Sequence, residues 1–222
     1  MQIAPLLCIG RGVTALIGGG GKTTLLYMLS EELRGKGRVI LCTSTHIRVP
    51  EQYPLATGGA EKLLAALEEQ DVVCAGTPAG DGKLTAPVMP FEELAALADY
   101  VLVEADGAKG LPLKAHAAHE PVIPLNAQRV VLVVGADGFG KPIAEVCHRP
   151  ALYAERADAS VDDIATPELA ARVIAAEGFG DRVYINKVES AADYAAAEEL
   201  VKRLSCPVAA GSLQKGVFTC LR

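Results

Sequence analysis

Val13–Thr24 reads VTALIGGGGKTT, a run of apolar residues passing directly into four glycines, a lysine and two threonines. An apolar run of this length reads as a buried strand. The residues that follow, Leu25, Leu26, Leu29 and Leu33, recur at helical spacing. Strand, glycine turn and helix in this order form a phosphate-binding loop. Glycine permits close backbone approach, and the helix start offers unpaired N–H groups and the positive end of its dipole. The reading assigns Gly18, Gly19, Gly20, Gly21, Lys22, Thr23 and Thr24 to nucleotide phosphates, with Lys22 bridging the terminal ones and Thr23 holding Mg²⁺. The usual spacing would place a further glycine at position 16, where this chain has Leu16, so the loop is a tighter variant.

Outward from this loop, apolar runs recur at Val13–Ile17, Arg38–Cys42, Val72–Ala75, Tyr100–Val103, Arg129–Val134, Arg182–Ile185 and Pro207–Ala210. Helical periodicity falls at Thr23–Arg34, Ala60–Glu69, Phe91–Ala98, Pro167–Glu177 and Ala191–Leu204. Thr166-Pro167 supplies a cap and a first-turn proline. Gly76–Lys83 is rich in turn residues and closes a short hairpin. The expectation is one α/β domain spanning residues 1–222, P-loop NTPase-like, with a mostly parallel sheet between two helical layers and ligands at the carboxyl ends of its strands.

Two other strand ends carry chemistry. Arg38–Cys42 leads into Thr43-Ser44-Thr45-His46-Ile47-Arg48. Thr45 is expected on the magnesium side, and His46 and Arg48 could neutralise terminal-phosphate charge. Tyr100–Val103 leads into Glu104-Ala105-Asp106-Gly107, and the two carboxylates are expected to hold the metal and orient water. Lys109, Lys114 and His116 follow as cations for a second, anionic substrate.

Val183–Glu189 is a strand ending in Asn186-Lys187-Val188-Glu189. It is close to the NKxD box that reads guanine, but Glu189 stands where Asp is usual and its extra methylene displaces the acceptor. Gly211 and Ser212 follow the last strand, on a loop expected to close over the base. These elements leave ATP and GTP both open. The loop Gly135–Lys141 also follows a strand, without an assignable role.

Composition bounds the remaining classes. The 222 residues carry a formal charge of −6, with basic residues scattered, which argues against nucleic acid. No stretch is apolar enough for a membrane span, and the N-terminus lacks a cationic lead. The six cysteines show no paired spacing, as expected of reduced thiols in the cytoplasm.

The segments IGGGGKTTL, TSTHI, VLVEADGAKGLPLKAHAAHEPVIP, VVGADGFGKP, CHRP and INKVE together resemble the YqeC family of selenium-dependent molybdenum hydroxylase accessory proteins, over roughly residues 13 to 213. The resemblance implies a P-loop NTPase-like domain acting in selenium cofactor biosynthesis or in maturation of molybdenum hydroxylases, with a client enzyme as partner. Lys22, Thr23, Glu104 and Asp106 fall on the family's phosphate and acidic motifs, Asn186 and Lys187 on its NK motif. The leading expectation is an NTPase, and pairing of two copies across the nucleotide is a further one. The alternatives are a small-molecule kinase, a nucleotide sensor without turnover, and a selenium carrier using Cys8, Cys42 or Cys147.

Overall fold

The computed structural model describes residues 2–222. Nine strands form one sheet: β1 Gly12–Gly18, β2 Val39–Thr43, β3 Leu55–Ala56, β4 Val72–Ala75, β5 Tyr100–Glu104, β6 Ala127–Gly135, β7 Arg182–Asn186, β8 Val208–Ser212 and β9 Val217–Cys220. Their order across the sheet is β9–β8–β7–β6–β1–β5–β2–β4–β3. All neighbours are parallel except β8 and β9. β1 therefore lies in the interior of the sheet, and the loop leaving it opens at the carboxyl edge.

Alternation along each strand divides its side chains between two faces. Ala15 and Ile17 of β1 pack with Leu132, Val134, Val183 and Ile185 against helices Pro150–Ala157, Pro167–Glu177 and Ala191–Val201. Leu16 points the other way and joins Leu41, Leu102, Val131 and Val133 beneath helix Lys22–Leu33, whose Leu25, Leu26 and Leu29 are wholly buried. Each of these leucines contributes roughly 1.5–3 kcal/mol through burial. A third cluster seats Leu63, Leu67 and Leu94, from helices Ala60–Glu69 and Phe91–Leu97, on Ile40, Val73 and Val101. With both faces covered the central strands are apolar throughout, which is why they read as continuous runs.

The elements follow the expected pattern, with the boundaries of helices Ala60–Glu69 and Pro167–Glu177 as anticipated. Thr166 accepts the Leu169 N–H at 3.2 Å, and Gly178 closes the helix with φ +66°. The hairpin expected near Gly76–Lys83 pairs Thr77–Gly80 with Lys83–Thr85 and extends to His46–Arg48, making a three-stranded antiparallel sheet. Helix Pro150–Ala157, the antiparallel edge strand β9 and the two-residue β3 lay outside the sequence reading. They are short, and only pairing or packing with distant residues defines them. Among the described residues, no helix is long and apolar enough to cross a membrane.

Gly20 and Gly110 both sit at left-handed φ, +78° and +77°. A Cβ on Gly110 would meet open space, whereas on Gly20 it would strike the backbone N of Gly135. Gly110→Ala should therefore cost about 1–2 kcal/mol of conformational strain. Gly20→Ala should cost clearly more, because backbone has to move, and paired urea denaturation midpoints check the difference.

Candidate functional site

β5 pairs with β1 so that Glu104 lies beside Leu16. The chain leaving β5 thus runs along the glycine loop, and Asp106 reaches back beneath it. Its Oδ2 accepts the Gly18 N–H at 2.8 Å. The Lys22 ammonium folds back over the loop, donating to the Gly18 carbonyl at 2.6 Å and lying 3.0 Å from Asp106 Oδ1 and 4.0 Å from Glu104 Oε1. Thr23 Oγ1 donates to Glu104 Oε2 at 2.7 Å. Lys22, Thr23, Glu104 and Asp106, drawn from stretches about 80 residues apart, thus form one constellation.

The loop's amides divide into two groups. The Gly18, Gly19 and Gly20 N–H groups donate within the protein, to Asp106, the Val133 carbonyl and the Leu111 carbonyl. The first turn begins at Gly21 without any side-chain cap. Helices Pro167–Glu177 and Ala191–Val201 are capped, by Thr166 and by the Ser190–Asp193 capping box, whereas Ala60–Glu69, like this helix, starts at a glycine without a side-chain cap. Gly21, Lys22, Thr23 and Thr24 are therefore the ones whose N–H groups lack intrahelical partners. Gly18, Gly19 and Gly20, expected to turn their amides toward phosphate, instead shape the loop.

Asp106, expected beside a metal, is fully enclosed. Besides Gly18 and Lys22 it meets Lys114 Nζ at 3.3 Å and His116 Nε2 at 2.6 Å. Burial alone would raise its pKa. The His116 hydrogen bond, the charges of Lys22 and Lys114 and the Gly18 N–H outweigh that and hold the carboxyl well below its usual range. Glu104, two residues earlier, moves upward because burial outweighs Lys22 and Thr23. Adjacent carboxylates are thereby driven apart, one firmly anionic and one more readily protonated.

Lys114 and His116, expected to receive an anionic substrate, are buried and already paired. Lys114 also contacts Glu120 at 2.9 Å, and Glu120 pairs with Arg149. His116 Nδ1 lies 2.5 Å from Glu177, which in turn pairs with Arg156. Glu120 and Arg149 lie in segments that carry the family resemblance but drew no role from the sequence, and Arg156 and Glu177 had no local signal, since each is recognisable only by a partner on another element. Thr45 is partly exposed on the turn after β2, and its N–H donates to Thr43 Oγ1 at 3.0 Å. Thr43 Oγ1 donates in turn to the Glu104 carbonyl at 2.8 Å, so Thr43 is the hydroxyl that ties β2 to the acidic strand end.

At the neighbouring strand end Asn186 bridges two loops. Its Nδ2 donates to the Gly20 carbonyl at 2.7 Å and its Oδ1 accepts the Leu213 N–H at 3.1 Å. Lys187 pairs with Asp137 at 2.8 Å, giving the Gly135–Lys141 loop the contact that spacing could not reveal. Ser212 donates to Glu189 at 2.7 Å, and Lys215 lies 3.0 Å from its other oxygen, which together hold that carboxyl below its usual value. Gly211 is buried in β8 beside this group. Asn186, Lys187, Asp137, Glu189 and Ser212 line a cleft of about 590 Å³. It adjoins a second cleft of about 760 Å³ over Gly20–Thr24, and the two share Gly21, Thr24 and Lys187. A shallower depression of about 950 Å³ lies at the opposite edge, around Arg11, Arg38 and Asp99 where strands begin, away from all these groups.

Strand, tight glycine loop, uncapped helix and acidic neighbouring strand define a P-loop NTPase-like nucleotide-binding fold. The model of the YqeC protein family matches residues 14–151, and the chain belongs to that family. The matched span lies within residues 13 to 213, over which the resemblance is read, and ends before Asn186–Glu189. The uncharacterized protein YqeC of Escherichia coli (strain K12) is 34% identical over an alignment of 154 positions that covers 64% of this chain and 59% of that protein. The chain thus matches less than two thirds of that relative's length. Among solved structures, the signal recognition particle 54 kDa protein from Aeropyrum pernix K1 in complex with GDP aligns over 95% of this chain and 44% of that chain, with a TM-score of 0.43 and 16% identity. So distant a likeness does not bear on ligand or activity.

His116 offers a test of the buried network. Burial lowers its proton affinity, but the hydrogen bonds to Asp106 and Glu177 outweigh that and raise its pKa above 6.5. A raised folded-state pKa means the stabilisation is complete below about pH 6.5 and is lost as pH climbs through the folded value. His116→Ala should cost roughly 3 kcal/mol or more at pH 6. The gap from the wild type should narrow toward alkaline pH in paired denaturation curves.

Proposed function

We propose that this chain binds a nucleoside triphosphate with Mg²⁺ and hydrolyses it slowly, serving the maturation of a selenium-dependent molybdenum hydroxylase. The observation that carries the nucleotide reading is the uncapped turn Gly21–Thr24 beside the Lys22 ammonium, which is held at the loop by Gly18 and Asp106. Those N–H groups and that charge suit a phosphate chain. The adjoining cleft at Asn186, Lys187, Glu189 and Ser212 is of a size to take the nucleoside.

The donor chemistry fits magnesium. Thr23 and Glu104 bring two hard oxygens together at the cleft, and Mg²⁺ needs only one or two protein oxygens when phosphates and waters complete its shell. These two residues would hold the ion, which would neutralise charge on the phosphate oxygens. Asp106 acts one step back, anchoring Lys22 and the Gly18 turn. Glu104, at the cleft beside Thr23, would also orient a water in the ion's shell. Thr45 is one contact farther out, through Thr43.

The pathway assignment rests on the family and on the resemblance that accompanies it; a client enzyme would be the protein partner and would accelerate hydrolysis. A cytoplasmic setting agrees with six free thiols. A thiol carrier role is less favoured at Cys42 and Cys147, because burial pushes Cys42 well above its ordinary pKa and Cys147 up to about 12.

Calorimetric titration with ATP and GTP, with and without Mg²⁺, tests the reading. The wild type should bind in a magnesium-dependent way, and Thr23→Ala should lose most of that dependence while keeping its fold. Lys22→Ala should weaken affinity by at least about tenfold, as expected for a charged hydrogen-bonding group. Failure of the folded wild type to bind either nucleotide would overturn the proposal.

A further inference from the structure

The wall of the phosphate-side cleft that faces the glycine loop is cationic and unpaired. It is built by the three-stranded sheet and by the turn after Asp106, which contribute His46, Arg48, Lys83 and Lys109. Lys22 and Lys187, also in this cleft, are matched by Asp106 and Asp137. Arg48, Lys83 and Lys109 form no ion pair among the described residues, and all three are exposed. This concentration stands out in a chain whose formal charge is −6.

Two features of the wall run against local stability. Arg48 and Lys83 are directly opposed in the antiparallel ladder, and like charges placed so repel. Their intervening neighbours Ile47 and Leu84 are buried, so register holds the two cations on the outer face together. Lys109 occupies a left-handed conformation, φ +52°, which is unfavourable for a residue with a side chain. An anion bound between them would relieve the repulsion and use the guanidinium fork and the two ammonium groups as donors.

Space points beyond the nucleotide. The base-side cleft of about 590 Å³ alone lies within the range of a complete small-molecule site, and the phosphate-side cleft of about 760 Å³ extends from Gly20–Thr24 to Arg48, Lys83 and Lys109. We infer that Arg48, Lys83 and Lys109 form a subsite for a second small molecule, a multiply charged oxyanion, bound across the cleft from the nucleotide phosphates. This rests on the nucleotide reading for its neighbour, though the subsite is chemically separate from Lys22 and Thr23.

The test titrates pyrophosphate into the full chain, alone and saturated with a non-hydrolysable magnesium nucleotide, comparing wild type with Arg48→Ala/Lys83→Ala. Wild type should bind pyrophosphate while the nucleotide remains bound, with affinity falling as salt rises. The double variant should lose at least about tenfold in pyrophosphate affinity, shift nucleotide affinity by less than about twofold, and be no less stable than wild type without ligand, since a repulsive pair has been removed. Pyrophosphate that only competes with nucleotide, or is indifferent to the double substitution, would overturn the subsite. A comparable loss of nucleotide affinity would overturn it as well, assigning the two cations to the terminal phosphate. If wild type binds no nucleotide, the P-loop reading fails separately: pyrophosphate binding to the free chain that the double variant loses still supports the subsite, and its persistence there overturns it.

Discussion

A single buried carboxylate organises the carboxyl edge of this sheet. Asp106 has no solvent exposure, and an isolated charge there would be prohibitively unfavourable. It is tolerated because the Gly18 N–H, Lys22, Lys114 and His116 converge on it from four positions along the chain. Each partner is thereby fixed in turn. The glycine turn takes its shape, the Lys22 ammonium is held at the loop, and the segment after β5 folds back as far as Glu120.

This hub extends well past the loop. His116 transmits the contact to Glu177 and Arg156 on two helices of one sheet face, while Lys114 reaches Glu120 and Arg149. Positive and negative groups alternate along both branches, so that each buried charge has an opposite neighbour. Such networks gain from completeness, and removing one member strands the next. The same logic accounts for the contrast between the two acidic residues: Asp106 has Gly18, His116 and Lys114 on Oδ2 and the Lys22 charge beside Oδ1 and anchors the loop, whereas Glu104 keeps Thr23 and a distant Lys22, and faces the cleft.

Asn186 performs the matching task on the other side. By donating to Gly20 and accepting from Leu213 it sets the distance between phosphate loop and base-side loop. The close fit of Gly21 against that amide leaves no room for a side chain: a Cβ there would come within 2.5 Å of Asn186 Nδ2. Four glycines in succession thus serve packing as much as ligand approach.

Residues 13–34 carried their own structure in the sequence, because apolar runs, glycine turns and helical periodicity are local properties. The same holds for the central strands, for helix Pro167–Glu177 with its Thr166 cap, and for the assignment of Lys22, Thr23 and Glu104 to one edge of a parallel sheet. Tertiary structure alone decided which carboxylate faces the cleft, that Lys114 and His116 are interior, that Thr43 lies between Thr45 and Glu104, and that Asp137 meets Lys187. It also placed Arg48 against Lys83. The reason is that each of these depends on register or pairing between stretches separated by up to about 80 residues. A one-residue slip would reverse every side chain concerned, and nothing within a single stretch encodes that choice.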